Sequence, residues 1–241
     1  MEIELVSDCV CPWCYVGSVR LDRVLADDPD PPPVVHRSFF LDPSTPEEGV
    51  DIPDMLRRKY GVDPRAAWDR VESAARESGL ALDLTKQRRQ WPTLRAHTLL
   101  RHAGPRGTQR ELARALFRAN FDDALNINDP EVLAALGERH GFAADEVVRL
   151  VGDPAELAAT RAEADSAIAA GIRGVPFFVF DGQLAVSGAQ RESVLREALK
   201  RARHAVRVTA QSSEQRPGGS AAAPYSTGQV RRGEGNPNDR S

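Results

Sequence analysis

Polar and apolar residues alternate over residues 2–7 (Glu-Ile-Glu-Leu-Val-Ser), which puts Ile3 and Leu5 on one face of a strand. From Pro12 the period changes. Val16, Val19, Leu21, Val24 and Leu25 follow helical spacing, and a helix starting near Pro12 loses nothing to proline, whose missing N–H is not needed in a first turn. The run from Asp27 to Pro33 ends that helix, and residues 34–41 read as a second strand. From about 53 to 171 β-branched runs vanish, and the pattern predicts helices over 64–78, 92–103, 107–120, 130–140, 143–151 and 154–170. Asp129-Pro130 and Asp153-Pro154 are N-cap and first-turn pairs, and Gly79, Gly104, Gly141 and Gly171 close helices. Strands return at Phe177 to Phe180 and Leu184 to Val186, joined by Asp181-Gly182, a hairpin signal. Residues 190–203 form a last amphipathic helix carrying Val194, Leu195, Ala198 and Leu199.

The order β-α-β, a long helical block, then β-β-α predicts one α/β domain interrupted by an all-helical one. The expected boundaries are 1–52 and 172–204 for the α/β domain and 53–171 for the insertion. From 205 to 241 large apolar residues nearly disappear, and such a composition predicts a disordered tail. Composition narrows the function. With 41% hydrophobic residues the chain can bury a substantial core, and a net charge of −3 gives no reason to expect a nucleic-acid or membrane-surface partner. No apolar run approaches the roughly 20 residues that span a bilayer. The first residues lack the basic and apolar regions of a signal peptide, so the expected location is cytoplasmic.

All three cysteines, Cys9, Cys11 and Cys14, fall within six residues, a layout that cross-links nothing distant. Cys11-Pro12-Trp13-Cys14 stands after a strand and at a helix start, the setting of a thioredoxin-like redox pair. The thiolate is the nucleophile, and the N–H groups and macrodipole of a helix N-terminus favour negative charge on Cys11. Cys14 lies one turn on, within reach of that sulfur, and resolves the mixed disulfide. Zinc would need two further ligands. His36, His97, His102, His140 and His204 are scattered, which disfavours that reading, and no metal is expected. Cys9 either traps Cys11 in an alternative disulfide or packs as a small apolar residue; its residue type favours packing. Trp68, among helical charges, reads as a packing residue.

Beyond the cysteines, ordered motifs over residues 1–203 resemble the DsbA-like oxidoreductases, in particular the FrnE-type branch. They are Asp8-x-x-Cys11-Pro12-Trp13-Cys14-x-x-Gly17, Leu116-Phe117-x-x-x-Phe121 with Ile127-x-Asp129, Gly171-Ile172-x-Gly174-Val175-Pro176-Phe177-Phe178-Val179, and Ser187-Gly188-Ala189-Gln190. The resemblance implies a thioredoxin fold with a large inserted all-helical domain. Read alone, Val175-Pro176 favours trans, since only about 5–6% of X–Pro bonds in folded proteins are cis. The resemblance implies instead a cis proline facing the cysteines, with the Val175 backbone open to an extended substrate and Val175 flanking the thiols. Pro12, Trp13, Val175, Pro176 and His97 are then the candidate substrate-binding residues. Where the family carries Asn and Ala-His-Arg, this chain has Pro92 and Ala96-His97-Thr98. His97 either faces the thiols or is a half-buried structural histidine.

The function expected from all this is a thiol–disulfide oxidoreductase. Its substrates are proteins or small thiols, with a redox recycling partner, no bound cofactor, glutathione as an optional co-substrate, and a monomer or homodimer as the unit. Relatives sharing the insertion, the hydroxychromene-carboxylate isomerase and kappa-class glutathione transferases, typically carry serine where Cys11 stands. That makes a glutathione-dependent isomerase or transferase the first alternative and a chaperone-like binding module the second.

Overall fold

A computed structural model describes residues 1–214. A four-stranded sheet has the order β2-β1-β5-β6, built from β1 (Ile3–Ser7), β2 (Val34–Ser38), β5 (Phe177–Phe180) and β6 (Leu184–Ser187). β1 pairs parallel with β2 and antiparallel with β5, and β5 pairs antiparallel with β6. The period of two decides what each face buries. The register sets Ile3 against Phe180 and Leu5 against Phe178. These four side chains are at most 1% exposed, packed under α1 (Pro12–Ala26) and α9 (Glu192–Glu214) with Leu21, Val24, Leu195 and Leu199. Val6 points the other way and meets Phe39 and Ile172. In the hairpin turn, Asp181 and Gly182 both take positive φ (52° and 65°), as a type I′ turn requires.

Between β2 and β5 the chain forms β3 (Val50–Asp51), α2 (Ile52–Tyr60), α3 (Pro64–Glu77), β4 (Arg89–Gln90), α4 (Leu94–Ala103), α5 (Gln109–Phe121), α6 (Pro130–Glu138), α7 (Ala144–Gly152) and α8 (Pro154–Ala169). Asp51, Asp63, Asp129 and Asp153 cap α2, α3, α6 and α8, each accepting a backbone N–H, with proline at the first or second helical position. Leu99, Leu112, Leu116, Ile127, Leu133 and Val147 form a second core within these helices.

The helical block also closes the sheet. β2 is an edge strand, and the buried Gln109 side chain pairs with it as another strand would. Its Oε1 accepts the His36 N–H at 2.9 Å and its Nε2 donates to the His36 carbonyl at 3.1 Å. Buried beside it, the His36 imidazole is pushed down to about 4, burial being the main cause. His36 is thus neutral when folded, while the unfolded chain takes up a proton below its ordinary value near 6.5. Stability is therefore full above about pH 6.5 and falls as pH drops towards 4, by on the order of 3 kcal/mol from this group. Urea unfolding of wild type and His36→Gln between pH 7 and 4 checks this: the wild type should lose more stability on acidification, and parallel losses would refute the assignment.

Three sequence expectations are corrected. The strand expected over 34–41 ends at Ser38, because the Leu41 N–H turns away to the Asp8 carboxylate at 2.8 Å instead of a ladder partner. The last helix runs to Glu214, past the expected end at 203, so residues 205–214 do not belong to a disordered tail. The rest of that expected tail, 215–241, and Arg231-Arg232 with it, lie outside the described residues. The helix α2 and the short β3–β4 ladder were not anticipated.

Candidate active site

β1 ends at Ser7 and the chain turns through Asp8 to Val10 into α1, with Cys11 as its N-cap residue (φ −88°, ψ 111°). Pro12 occupies the first turn. The turn is held by the Cys11 N–H donating to the Asp8 carbonyl at 3.0 Å, and the Cys11 carbonyl accepts from Cys14 at 3.0 Å and Tyr15 at 3.2 Å. Strand, turn and proline thus deliver one cysteine to the open end of a helix and the other one turn deeper. Cys11 is 4% exposed and Cys14 is fully buried, and the two thiols are within hydrogen-bonding reach of each other. All three cysteines are free thiols. Burial pushes the Cys14 thiol well above its usual value, and the adjoining Cys11 sulfur adds to the rise; the Asp8 backbone N–H acts against it. Two thiols in this arrangement can take up two electrons' worth of oxidation as one disulfide.

The second wall comes from the loop before β5. The Val175–Pro176 bond is cis, and the Val175 carbonyl faces the Cys11 thiol, Sγ to O 3.9 Å. Gly188 donates to the Pro176 carbonyl at 2.8 Å and fixes the loop from the β6–α9 side. Gly17 makes room for it: a Cβ there would stand 2.9 Å from Pro176 Cγ and 3.2 Å from Phe178 Cζ. Pro12, Trp13 and Val175 are half-buried at the surface around Cys11, and Pro176 is buried. Tyr15, next to Cys14, stacks on Phe117 and Phe121 with ring centroids 5.3 and 5.8 Å apart and donates to Asp122 at 3.1 Å, which locks α1 to α5.

The sequence-predicted residues Cys11, Pro12, Trp13, Cys14, Val175 and Pro176 thus come together. His97 does not join the surface set. It is fully buried, so it cannot touch a substrate, and it is not half-buried either. It lies behind the turn, with Nε2 3.4 Å from Asp8 Oδ1 and the Phe40 ring edge-on at 5.4 Å. Thr98, at the family's arginine position, bonds Thr160 at 2.9 Å and ties α4 to α8. Cys9 packs into the helical core, and Trp68 packs against the cluster that holds Tyr15 and Phe117.

Three contributors were not singled out from sequence. They are the Asp8 side chain, the steric role of Gly17, and Arg20. The guanidinium of Arg20 is buried in α1 and donates to Ser78 Oγ (2.7 Å), Ala189 O (2.6 Å) and Ala74 O (3.0 Å). Asp8 and Gly17 left a sequence signal, through their places three residues before Cys11 and three after Cys14. A cleft of about 360 Å³ lies elsewhere, lined by Asp51, Asp54, Arg57, Arg65, Trp68 and Arg88, and contains neither cysteine. Its arginines pair with Asp54, Asp69 and Asp51. Among the described residues no group of three or more His, Cys, Asp or Glu side chains is arranged to hold a metal ion, and no helix is long and apolar enough to cross a membrane.

Comparison with known proteins gives the same frame. The model of the DSBA-like thioredoxin domain matches residues 2–200. Among solved structures, a probable DsbA oxidoreductase from Streptomyces coelicolor is 40% identical, with a TM-score of 0.77 over 84% of this chain and 89% of that one. The 2-hydroxychromene-2-carboxylate isomerase has a TM-score of 0.63 at 15% identity, over 90% of this chain and all of that one. The cytosolic disulfide reductase DsbM from Pseudomonas aeruginosa, solved with glutathione, has a TM-score of 0.58 at 15% identity, over 88% of this chain and all of that one. These last two share the fold. A search of curated proteins found no match.

Proposed function

The chain belongs to the DSBA-like thioredoxin domain family, and from that premise we propose that it is a thiol–disulfide oxidoreductase whose redox pair is Cys11 and Cys14. The observation that carries the reading is the placement of Cys11 at the N-cap of α1, with Cys14 in contact behind it and the Val175 carbonyl opposite. In the oxidising direction for the protein, the Cys11 thiolate attacks one sulfur of a substrate disulfide, and the other leaves as a thiolate. Cys14 then gives up its proton and attacks the Cys11 sulfur. The Cys11–Cys14 bond forms, the mixed disulfide breaks, and two electrons have passed to the substrate. The reverse sequence oxidises a dithiol.

Pro12 and Trp13 form the rim of the site, and Val175 with Pro176 aligns an extended substrate through the Val175 backbone. The substrates are proteins or small thiols, a partner recycles the pair, and no cofactor is bound. Glutathione as a co-substrate draws support from the reductase solved with it. Helices between residues 53 and 171 act as one inserted unit against the α/β part, and the expected location is cytoplasmic. An intact cysteine pair favours this reading over the isomerase one. The test is redox equilibrium with the glutathione couple: a reversible two-electron transition of the Cys11–Cys14 pair is expected, and its absence refutes the proposal.

A further inference from the structure

Behind the cysteines lies a pair of side chains that no disulfide chemistry requires. Asp8 is 1% exposed and His97 fully buried. The carboxylate is held by the Leu41 N–H at 2.8 Å, the Val10 N–H at 3.5 Å and His97 Nε2 at 3.4 Å. The same residue bonds the Cys14 sulfur through its backbone N–H, and the carboxylate charge, the smaller effect, acts on that thiol in the opposite sense. A buried anion beside a thiol opposes thiolate formation, and a cation on its far side cancels that field. We propose that His97 is the counter-ion of Asp8, a positioning residue that shields Cys14 from the carboxylate and so sets how fast Cys14 closes the disulfide. This rests on the oxidoreductase reading above.

Electrostatics around the imidazole agree. Burial disfavours its cation, but the adjoining Cys9 and Asp8 side chains, each within hydrogen-bonding reach of the ring, outweigh burial and lift His97 to about 10. The titratable groups facing the pair, among the described residues, are Cys9, Cys11 and Cys14 from the β1–α1 segment and His36 from β2. His36 is neutral at pH 7, so His97 is the cation that Asp8 meets. The Nδ1 atom of His97 has no hydrogen-bond partner; the ring is tied through Asp8 and also lies within hydrogen-bonding reach of the Cys9 sulfur.

The step at issue is the second one. When the reduced protein meets 5,5′-dithiobis(2-nitrobenzoate), Cys11 attacks and one thionitrobenzoate leaves. Cys14 then loses its proton to solvent, bonds to the Cys11 sulfur and expels the second thionitrobenzoate. Stopped-flow absorbance separates the two releases. His97→Gln keeps a donor near Asp8 but removes the charge. The second release should slow about tenfold at pH 7, with its pH profile moved up by about one unit. Removing both charges in the Asp8→Asn/His97→Gln double variant should return the profile to within about threefold of wild type. A purely structural role predicts the opposite, a double variant at least as slow as the single one. Should His97→Gln fail to fold, Asp8→Asn alone is read instead, and its second release should become faster at low pH. An unshifted profile in His97→Gln, no recovery in the double variant, or an unshifted profile in Asp8→Asn overturns the inference. The first release reports on Cys11 in wild type; if it is missing, the oxidoreductase reading itself has failed.

Discussion

A Cys11→Ser variant will lose disulfide exchange almost completely, with the rate down by at least about a thousandfold, because a serine hydroxyl cannot supply the thiolate that attacks. Cys9 and Cys14 remain in that variant, yet Cys14 is fully buried, and Cys9 packs into the helical core whereas Cys11 faces the Val175 carbonyl. Neither can reach a substrate in place of Cys11. Cys14→Ser will behave differently. Cys11 stays at the rim and reacts once, and with nothing behind it to resolve the mixed disulfide the protein stops as a covalent adduct. Turnover of a dithiol-regenerated disulfide substrate, with mass measurement of the stalled protein, separates the two outcomes. Equal loss in both variants without any adduct in Cys14→Ser would contradict the assigned order of attack. Residual turnover in Cys11→Ser would shift the chemistry to Cys9.

The second large effect is on stability. Arg20→Leu should destabilise the fold by about 2–4 kcal/mol, the scale for leaving two buried acceptors without a donor. Leucine fills much of the volume but leaves the Ala189 carbonyl and the Ser78 hydroxyl oxygen without the Arg20 donor, while the Ala74 carbonyl keeps the Ser78 hydroxyl. The loss reaches the active site, since Ala189 adjoins Gly188, whose N–H holds the Pro176 carbonyl. Urea denaturation will show the lower stability, and exchange will slow even under conditions where the variant is fully folded. A change under 1 kcal/mol would mean that water replaces the guanidinium at these acceptors.

Local signals carried much of the fold. The alternation around Ile3 and Leu5, the Asp-Pro starts at residues 129 and 153 and the Asp181-Gly182 turn each encode their element within a few residues. The helix α2 escaped because its apolar residues are few: Pro53 is its single buried residue, and its last turn is three consecutive basic residues, Arg57 to Lys59. The helix α9 ran beyond its expected end because alanine, arginine and glutamine favour helix. In the candidate site, the cysteines were legible from their spacing, while the Val175–Pro176 loop became legible through the family resemblance. The Asp8–His97 contact was hidden, since 89 residues separate its partners and a single sequence holds no record of which distant groups meet. Sequence did mark His97 as notable, as a residue that either faced the thiols or was structural. The same separation hid Gln109 at the β2 edge and Arg20 beneath the Pro176 loop.

The most direct test is an equilibrium titration of the Cys11–Cys14 pair against reduced and oxidised glutathione, followed by Trp13 fluorescence and by mapping the bridge in the oxidised protein, with Cys9→Ser run beside wild type. One reversible two-electron transition is expected, with a Cys11–Cys14 bridge and the same transition in Cys9→Ser. A midpoint near about −120 mV would make the pair an oxidant, and one near about −270 mV a reductase. No transition under conditions that titrate a control dithiol, or a bridge that includes Cys9, would contradict the assigned pair.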